Sequence, residues 1–206
     1  SPAVVMAEEG DTQEKTEEEL AAEAEAQEKA ASYEAEIDTN GLEKWPGGPK
    51  VYADSAVVMD MESGAILYGK NMDAKHFPAS ITKLLTTLVA LENADLTDKV
   101  KFTEDSISFL QYDDAQIGMK AGEELSLEDS LHAVLLASAN EVSHAVAESV
   151  GELRLGGNYD TFIQKMNDRA KELGCTNSHW VNPNGLHDDE HYTTAHDMAL
   201  IASAVY

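Results

Sequence analysis

The chain has 206 residues, of which 43% are hydrophobic, so it is long and apolar enough to bury the core of one domain. Its net charge of −25, with only 14 lysines and arginines, argues against a nucleic-acid-binding protein, because phosphate neutralisation needs clustered basic residues. The single cysteine excludes an internal disulfide, and the sequence lacks the run of about 18 apolar residues that predicts a membrane span.

The N-terminal segment, residues 1–48, is acidic and has no apolar stripe. Thr16 and Glu19 form a capping-box pattern ahead of a run rich in alanine and glutamate, which predicts a solvent-exposed helix over residues 16–35. We expect this helix to act as a spacer. Turn-forming residues separate it from a second segment, residues 49–206, which we expect to form a domain of its own.

The first seven residues resemble the end of a secretory cleavage site. The sequence Val5-Met6-Ala7 places small residues just before two glutamates, without the charged and apolar parts of a signal peptide. This pattern predicts that the protein is exported.

The rest of the chain alternates short strand patterns with amphipathic helix patterns. Residues 52–60 and 65–68 carry alternating apolar side chains around a turn at Ser63 and Gly64, which predicts a β-hairpin. Another strand is expected at residues 99–103. Helical periodicity predicts helices that begin near Ser80, Ser126, Val142, Tyr159 and Thr194.

The stretch Pro78–Leu88 carries the strongest chemical signal. Ser80 opens an apolar helix pattern and Lys83 follows three residues later, so both side chains are expected on one helical face. The opposite face is expected to be buried through Ile81, Leu84, Leu85 and Leu88.

A serine hydroxyl needs a nearby base before it can attack a carbonyl at neutral pH, and Lys83 could supply that base. Its pKa must then fall from about 10.4 toward about 7 to 8, which burial at the root of a helix favours. The same tetrapeptide is also compatible with Ser80 as an ordinary helix N-cap and Lys83 as a solvated surface lysine.

A second pair of polar residues lies where two helix patterns meet. Ser138-Ala139-Asn140 interrupts the apolar periodicity between the helices that flank it. The sequence therefore predicts a turn that presents a hydroxyl and an amide at the edge of the core.

The other reactive residue types do not form a convincing site. The run from His187 to His191 matches the H-x-x-E-H pattern of certain zinc proteases, but it follows turn-forming residues, so we expect no metal there. Cys175 follows a helix pattern and is expected to be a small buried residue. The sequence has no glycine-rich phosphate loop and no G-x-S-x-G elbow, and it predicts no cofactor.

The motifs around Ser80, Lys83, Ser138 and Asn140 resemble the S-x-x-K and S-x-N motifs of the active-site serine penicillin-binding proteins and β-lactamases. The resemblance is closest to the low-molecular-weight D-alanyl-D-alanine carboxypeptidases, and it covers residues from about 51 to 206. Other stretches that look like blocks of that family are Ser63–Asn71, Pro78–Leu84, Met166–Asn167, Leu173–Gly174, Asn182–Leu186 and Thr193–Ala199.

The resemblance implies an α+β fold of the penicillin-binding-protein/β-lactamase-like transpeptidase type. Residues 49–206 would then be a partial D,D-peptidase catalytic domain. The fold would be incomplete, with an N-terminal β-hairpin and a helical lobe but without the C-terminal strands of the sheet. Ser80 would attack the carbonyl between two D-alanines of a peptidoglycan stem peptide, and Lys83 would take its proton. Ser138 would relay a proton to the leaving amine, and Asn140 would hold the substrate amide. β-Lactam antibiotics would be covalent inhibitors.

Two features depart from the family pattern. Ala139 stands where the commonest form of the second motif has glycine, and no Lys-Thr-Gly or Lys-Ser-Gly follows residue 140. In the family that third motif supplies a second cation and one wall of the oxyanion site. We therefore expect the chain alone to hydrolyse D-Ala-D-Ala slowly or not at all. The helical pattern that runs to Tyr206 predicts that the natural chain continues.

Two other functions share these motifs. A class A β-lactamase would also need a Glu-x-x-Leu-Asn segment, which the sequence at Glu172-Leu173-Gly174 does not supply. A non-catalytic wall-binding module would keep the fold and lack the reaction. The resemblance further implies an extracytoplasmic protein of the bacterial cell envelope and peripheral membrane association through a region beyond Tyr206. The net charge already argues against a nucleic-acid partner.

Overall fold

The computed structural model describes residues 14–206, so the cleavage-site pattern at Val5-Met6-Ala7 lies outside the described residues. The helices are α1 (Glu17–Glu34), α2 (Thr82–Asn93), α3 (Leu127–Leu136), α4 (Asn140–Leu153), α5 (Tyr159–Glu172) and α6 (Ala195–Val205). The strands are β1 (Ala56–Met59), β2 (Ile66–Lys70), β3 (Lys99–Lys101) and β4 (Glu124–Ser126). Two 3₁₀ turns lie at Asp38–Gly41 and Ala79–Ile81.

Helices α2 to α6 form a helical lobe with two small antiparallel sheets, which confirms the expected α+β class. Strand β1 pairs with β2, and β3 pairs with β4. Within residues 14–206, none of the helices combines the length and the apolar character needed to cross a bilayer.

Helix α4 lies at the centre of the helical lobe. Its apolar residues recur at helical spacing, and Val142, Ala145 and Val146 are completely buried against α2, α3, α5 and β3. Each valine buried in this way contributes about 1.5 to 3 kcal/mol. Since Asn140 is the first residue of α4, this packing also fixes the position of its side chain.

Strands β1 and β2 form the predicted hairpin, in which Ala56 pairs with Lys70 and Val58 with Tyr68. Strand pairing begins at residue 56 and not, as the sequence predicts, at residue 52. The segment before residue 56 makes hydrogen bonds through side chains instead. Ser55 Oγ, for example, donates to the carbonyl oxygen of Asn71 at 2.7 Å.

The loop from β2 to α2 is attached to the start of α6. His76 and Thr193 exchange two backbone hydrogen bonds of 2.8 and 2.9 Å, which form an isolated antiparallel bridge. The bridge fixes the chain just before the turn that carries Ser80.

Three helix boundaries follow the signals in the sequence. Ser126 Oγ accepts the N–H of Asp129 at 3.0 Å, and Thr194 Oγ1 accepts the N–H of Asp197 at 3.0 Å. Gly174 has a φ of +90° just after α5, as expected of a glycine at a helix C-terminus.

Helix α1 forms with the predicted capping box. The Glu19 N–H donates to Thr16 Oγ1 at 3.2 Å, and the Thr16 N–H donates to Glu19 Oε2 at 2.8 Å. None of its residues is buried. Its last turn nevertheless contacts the hairpin, because Lys70, which is 1% exposed, donates from Nζ to the carbonyl oxygens of Ser32 and Val51.

The segment after α1 also packs on the hairpin. Ile37 and Thr39 are buried, and Thr39 Oγ1 accepts the N–H of Gly69 at 3.2 Å. Asp38 Oδ2 accepts the N–H of Asn71 at 2.8 Å. The end of the acidic segment is therefore part of the folded unit and is not an isolated spacer, while the division at residue 48 stays a prediction.

We expect Lys70→Met to lower the free energy of unfolding by about 1 to 3 kcal/mol, because two partly buried carbonyl oxygens lose their charged donor. Limited proteolysis should then cleave α1 earlier than in the unchanged protein. Lys29→Met, on the exposed surface of α1, is the matched control. It breaks only a solvent-exposed ion pair with Glu25 and should change both quantities far less. Equal cleavage of the two variants would contradict the attachment of α1 through Lys70.

Candidate active site

Ser80 lies in the 3₁₀ turn before α2 and is exposed to solvent. The helix itself begins at Thr82, and its N-cap, Ile81, makes no side-chain capping bond. The chain reaches this turn through Ala79 with a φ of +50°, which is not a helical value. Ser80 is therefore neither the first residue of the α-helix nor its cap, and its hydroxyl is free of a capping role.

The expectation that Ile81 would be buried is wrong, since it is 50% exposed, whereas Leu85 and Leu88 are buried. The tight turn rotates Ile81 away from the core side of α2. Its side chain instead lines two neighbouring cavities, of about 360 and 450 Å³, that Met198 also lines.

The turn at Ala79 is held from outside by Gly185. A Cβ built on Gly185 would lie 1.8 Å from the carbonyl oxygen of Ala79, and Gly185 has a φ of +88°. Only glycine satisfies both conditions. Asn182 fixes the Gly185 turn, since its Oδ1 accepts the Gly185 N–H at 2.8 Å and its Nδ2 donates to the carbonyl oxygen of Leu186 at 2.8 Å.

The Lys83 amine is surrounded by three neutral oxygen atoms. Lys83 is 2% exposed, so it is not the solvated surface lysine that the sequence also allowed. Its Nζ lies 3.2 Å from Ser80 Oγ, 2.8 Å from Asn140 Oδ1 and 2.7 Å from the carbonyl oxygen of Asn184. No carboxylate within residues 14–206 forms an ion pair with it.

The types of these oxygen atoms decide how a neutral Lys83 amine would be oriented. The carbonyl oxygens of Asn140 and Asn184 can only accept hydrogen bonds, so they take the two N–H groups of a neutral amine. The nitrogen lone pair is then left for the Ser80 hydroxyl, which can donate. The geometry therefore suits proton transfer from Ser80 to Lys83.

Burial lowers the pKa of Lys83 from 10.5 to about 8, while the negative charges of Asp114 and Glu141 oppose this shift. A shift of this size corresponds to about 3 kcal/mol of destabilisation of the charged form. About a tenth of the amine is then neutral at pH 7, and most of it is neutral at pH 9.

Asn140 reaches Lys83 because the chain turns sharply between α3 and α4. Ser138 has a φ of +53°, which ends α3 and lets α4 begin two residues later. Ala139 is completely buried with a φ of −66°, a value open to any L-residue, so this position does not require glycine. The Asn140 N–H donates to the carbonyl oxygen of Ala115 at 2.9 Å.

Ser138 is near this group in sequence, but it is not hydrogen-bonded to it. Its Oγ is buried and has no hydrogen-bond partner among residues 14–206. The structure thus brings Ser80, Lys83 and Asn140 into one hydrogen-bonded cluster and leaves the Ser138 hydroxyl outside it.

The loop of residues 182–191 supplies contacts that sequence reasoning did not assign. The carbonyl oxygen of Asn184 bonds Lys83, and that of Pro183 accepts from Thr86 Oγ1 at 2.6 Å. The stretch was singled out as turn sequence, but a backbone carbonyl has no signature in the sequence. Only the fold reveals which polar group it meets.

His191 does not belong to a metal site. Its Nδ1 accepts the N–H of Val181 at 3.0 Å, and its Nε2 lies 2.8 Å from Thr82 Oγ1, so both ring nitrogens are already bonded. His187 lies at the surface, 3.2 Å from a carboxylate oxygen of Asp189. Since Nδ1 accepts, Nε2 carries the proton and donates to Thr82, the first residue of α2.

A family profile described as D-alanyl-D-alanine carboxypeptidase matches residues 43–206. The chain is 37% identical over 155 residues to the D-alanyl-D-alanine carboxypeptidase DacF of Bacillus subtilis, covering 73% of this chain and 38% of the relative. It is 32% identical over 162 residues to the D-alanyl-D-alanine carboxypeptidase DacA of Haemophilus influenzae, covering 76% of this chain and 40% of that relative.

The fold is similar to crystal structures of penicillin-binding protein 5 from Haemophilus influenzae, with a TM-score of 0.69 and 29% identity. That likeness covers 77% of this chain and 46% of the other. The chain thus spans about two fifths of the length of the curated relatives named above. These likenesses agree with the resemblance found in the sequence motifs.

We expect Gly185→Ala to lower the free energy of unfolding by about 2 kcal/mol or more and to move the NMR signal of the Lys83 side chain. Both effects follow from the clash with Ala79. Gly64→Ala is the control, because Gly64 has a φ of +73° with no atom within 4 Å of the added carbon. Equal effects of the two variants would show that backbone strain alone acts at Gly185.

Burial lowers the pKa of His191 from 6.5 to about 4, so the unfolded chain takes up a proton at a higher pH than the folded one. The stability due to neutral His191 is complete above pH 6.5 and is lost as the pH falls toward about 4. We expect this loss to reach about 3 kcal/mol, measured by urea unfolding between pH 7 and 4. His191→Gln should flatten this dependence, and parallel curves would contradict the assignment.

Proposed function

This chain belongs to the D-alanyl-D-alanine carboxypeptidase family, and we propose that it carries the acylating centre of a serine-type D-Ala-D-Ala carboxypeptidase. The observation that carries the proposal is the buried Lys83 amine, bonded to Asn140 and Asn184 with its third contact to the Ser80 hydroxyl. A lysine held in this way is a base, since its charged form is destabilised and its lone pair has one remaining partner.

In the proposed reaction, Ser80 Oγ attacks the carbonyl carbon between two D-alanines of a peptidoglycan stem peptide, and its proton passes to Lys83 Nζ. The tetrahedral intermediate then breaks its C–N bond, and the leaving D-alanine amine takes the proton. The product is an ester of Ser80, which water hydrolyses to release the shortened peptide. β-Lactam antibiotics would acylate Ser80 in the same way.

We propose Ser138 as the relay that returns the proton to the leaving amine. Its hydroxyl is buried, has no hydrogen-bond partner among the described residues, and lies two residues from Asn140. A hydroxyl without a fixed partner can accept one proton and donate another, as a relay requires. Asn140 would also bind the substrate amide.

We propose that the protein acts outside the cytoplasmic membrane, because peptidoglycan lies there and the relatives named above are D-alanyl-D-alanine carboxypeptidases. Export through the cleavage-site pattern at Val5-Met6-Ala7 and peripheral membrane association are parts of the same proposal. We propose no nucleic-acid partner, since the chain carries a net charge of −25.

The first test is covalent labelling by a fluorescent penicillin. We expect a single adduct on Ser80, identified by mass spectrometry, no adduct in Ser80→Ala, and at least a hundredfold slower labelling in Lys83→Met. The rate should rise with pH through about 8, because only the neutral amine accepts the proton.

The same experiment separates the alternatives. A folded protein whose chain includes a Lys-Thr-Gly segment and that still stays unlabelled at every pH would favour a non-catalytic wall-binding module. Fast turnover of nitrocefin would instead identify a β-lactamase. Rapid hydrolysis of D-Ala-D-Ala by the 206-residue chain would contradict the expected need for a Lys-Thr-Gly motif, which these residues do not contain.

A further inference from the structure

The side chain of Glu141 is a buried carboxylate that takes no part in the proposed reaction. It follows Asn140 on α4 and is 0% exposed. Its Oε1 accepts the N–H of Ile117 at 2.7 Å, whereas its Oε2 is buried without a hydrogen-bond partner in the part of the chain that the structure describes. Burying an acidic group with an unfilled acceptor is costly, so a purely stabilising role does not explain it.

The first turn of α4 holds the loop of residues 111–119 through two consecutive residues. The Asn140 N–H donates to the carbonyl oxygen of Ala115 at 2.9 Å, and Glu141 accepts from Ile117. The same helix turn presents Asn140 Oδ1 to Lys83. A movement of this loop would therefore shift the first turn of α4, which orients the Lys83 amine through Asn140.

We propose that Glu141 is a positioning residue for Lys83, which clamps the loop of residues 111–119 to α4 and places a buried negative charge within electrostatic reach of the amine. This inference rests on the proposed role of Lys83 as the base. The amine contacts Ser80, Asn140 and Asn184, and the acidic residues whose charges act on it are Asp114 and Glu141.

The negative charge of Glu141 raises the pKa of Lys83. A nearby negative charge stabilises the protonated amine, and Asp114 and Glu141 both oppose the fall in the pKa of Lys83 that burial causes. Without them the amine would be a weaker base and would accept the Ser80 proton with less driving force. Glu141 thus keeps Lys83 basic enough to take up the proton.

The test is Glu141→Gln, which keeps a carbonyl oxygen for the Ile117 N–H and removes the charge. Lys83 is titrated directly by NMR of protein labelled with ¹³C-lysine. We expect the midpoint to fall by roughly 0.5 to 1.5 pH units, and the pH profile of penicillin labelling to fall with it. Glu152→Gln, exposed on the same helix, should leave both midpoints unchanged.

A second pair of variants tests the clamp from the exposed loop, without altering the core. Ile117→Pro removes the N–H that Glu141 accepts and also fixes the backbone at residue 117, whereas Ile117→Ala shortens the side chain and retains the N–H. We expect faster amide exchange in residues 111–119 and a changed Lys83 midpoint in the proline variant alone. Wild-type values in Ile117→Pro, or an unshifted midpoint in folded Glu141→Gln, would overturn the proposal.

The Lys83 titration does not require acylation, so the two proposals fail in different ways. In a chain that includes a Lys-Thr-Gly segment, an unlabelled Ser80 with a shifted midpoint in Glu141→Gln would refute the proposed reaction and leave the electrostatic effect of Glu141 standing. Normal labelling with an unshifted midpoint would refute the role of Glu141 alone.

Discussion

A lysine amine buried among neutral oxygen atoms is the interaction on which the rest of the site depends. No carboxylate within the described residues forms an ion pair with Lys83, and burial of the amine destabilises its charged form. The two carbonyl-type acceptors, on Asn140 and Asn184, then occupy both N–H groups of the neutral form. Among the described residues, the Ser80 hydroxyl is the one remaining hydrogen-bond partner of the amine. The nitrogen lone pair therefore faces the proton of Ser80.

Three separate parts of the chain must meet for this arrangement to exist. The turn before α2 brings Ser80 and Lys83, the first turn of α4 brings Asn140, and the loop after α5 brings Asn184. The packing of α4 in the core fixes the position of Asn140. The close contact of Gly185 with Ala79 holds the loop that carries Asn184 against the turn that carries Ser80. The site is therefore only as rigid as these two contacts.

The effect of an acidic residue on Lys83 depends on its distance from the amine. An ion pair at hydrogen-bond distance would keep Lys83 charged and unable to accept a proton. The more remote charges of Asp114 and Glu141 only moderate the effect of burial. The balance holds the pKa near 8, where the amine is still basic but is partly neutral under ordinary conditions.

The sequence by itself determined the features that depend on near neighbours. The helices after Ser126 and Thr194, the glycine that follows α5, the capping box of α1 and the hairpin all follow local patterns, because caps and periodicity act over three or four residues. The motifs also identified the family, since several short blocks occurred in the right order.

Only the tertiary structure decided which distant groups meet. Lys83 and the carbonyl of Asn184 are 101 residues apart, and His191 and Thr82 are 109 apart, so no local pattern relates them. The attachment of α1 through Lys70 and the exposure of Ile81 were unforeseen for the same reason. A hydrogen bond to a backbone carbonyl and a close contact of a glycine cannot be recognised in the sequence, because both depend on which residue the fold places beside them.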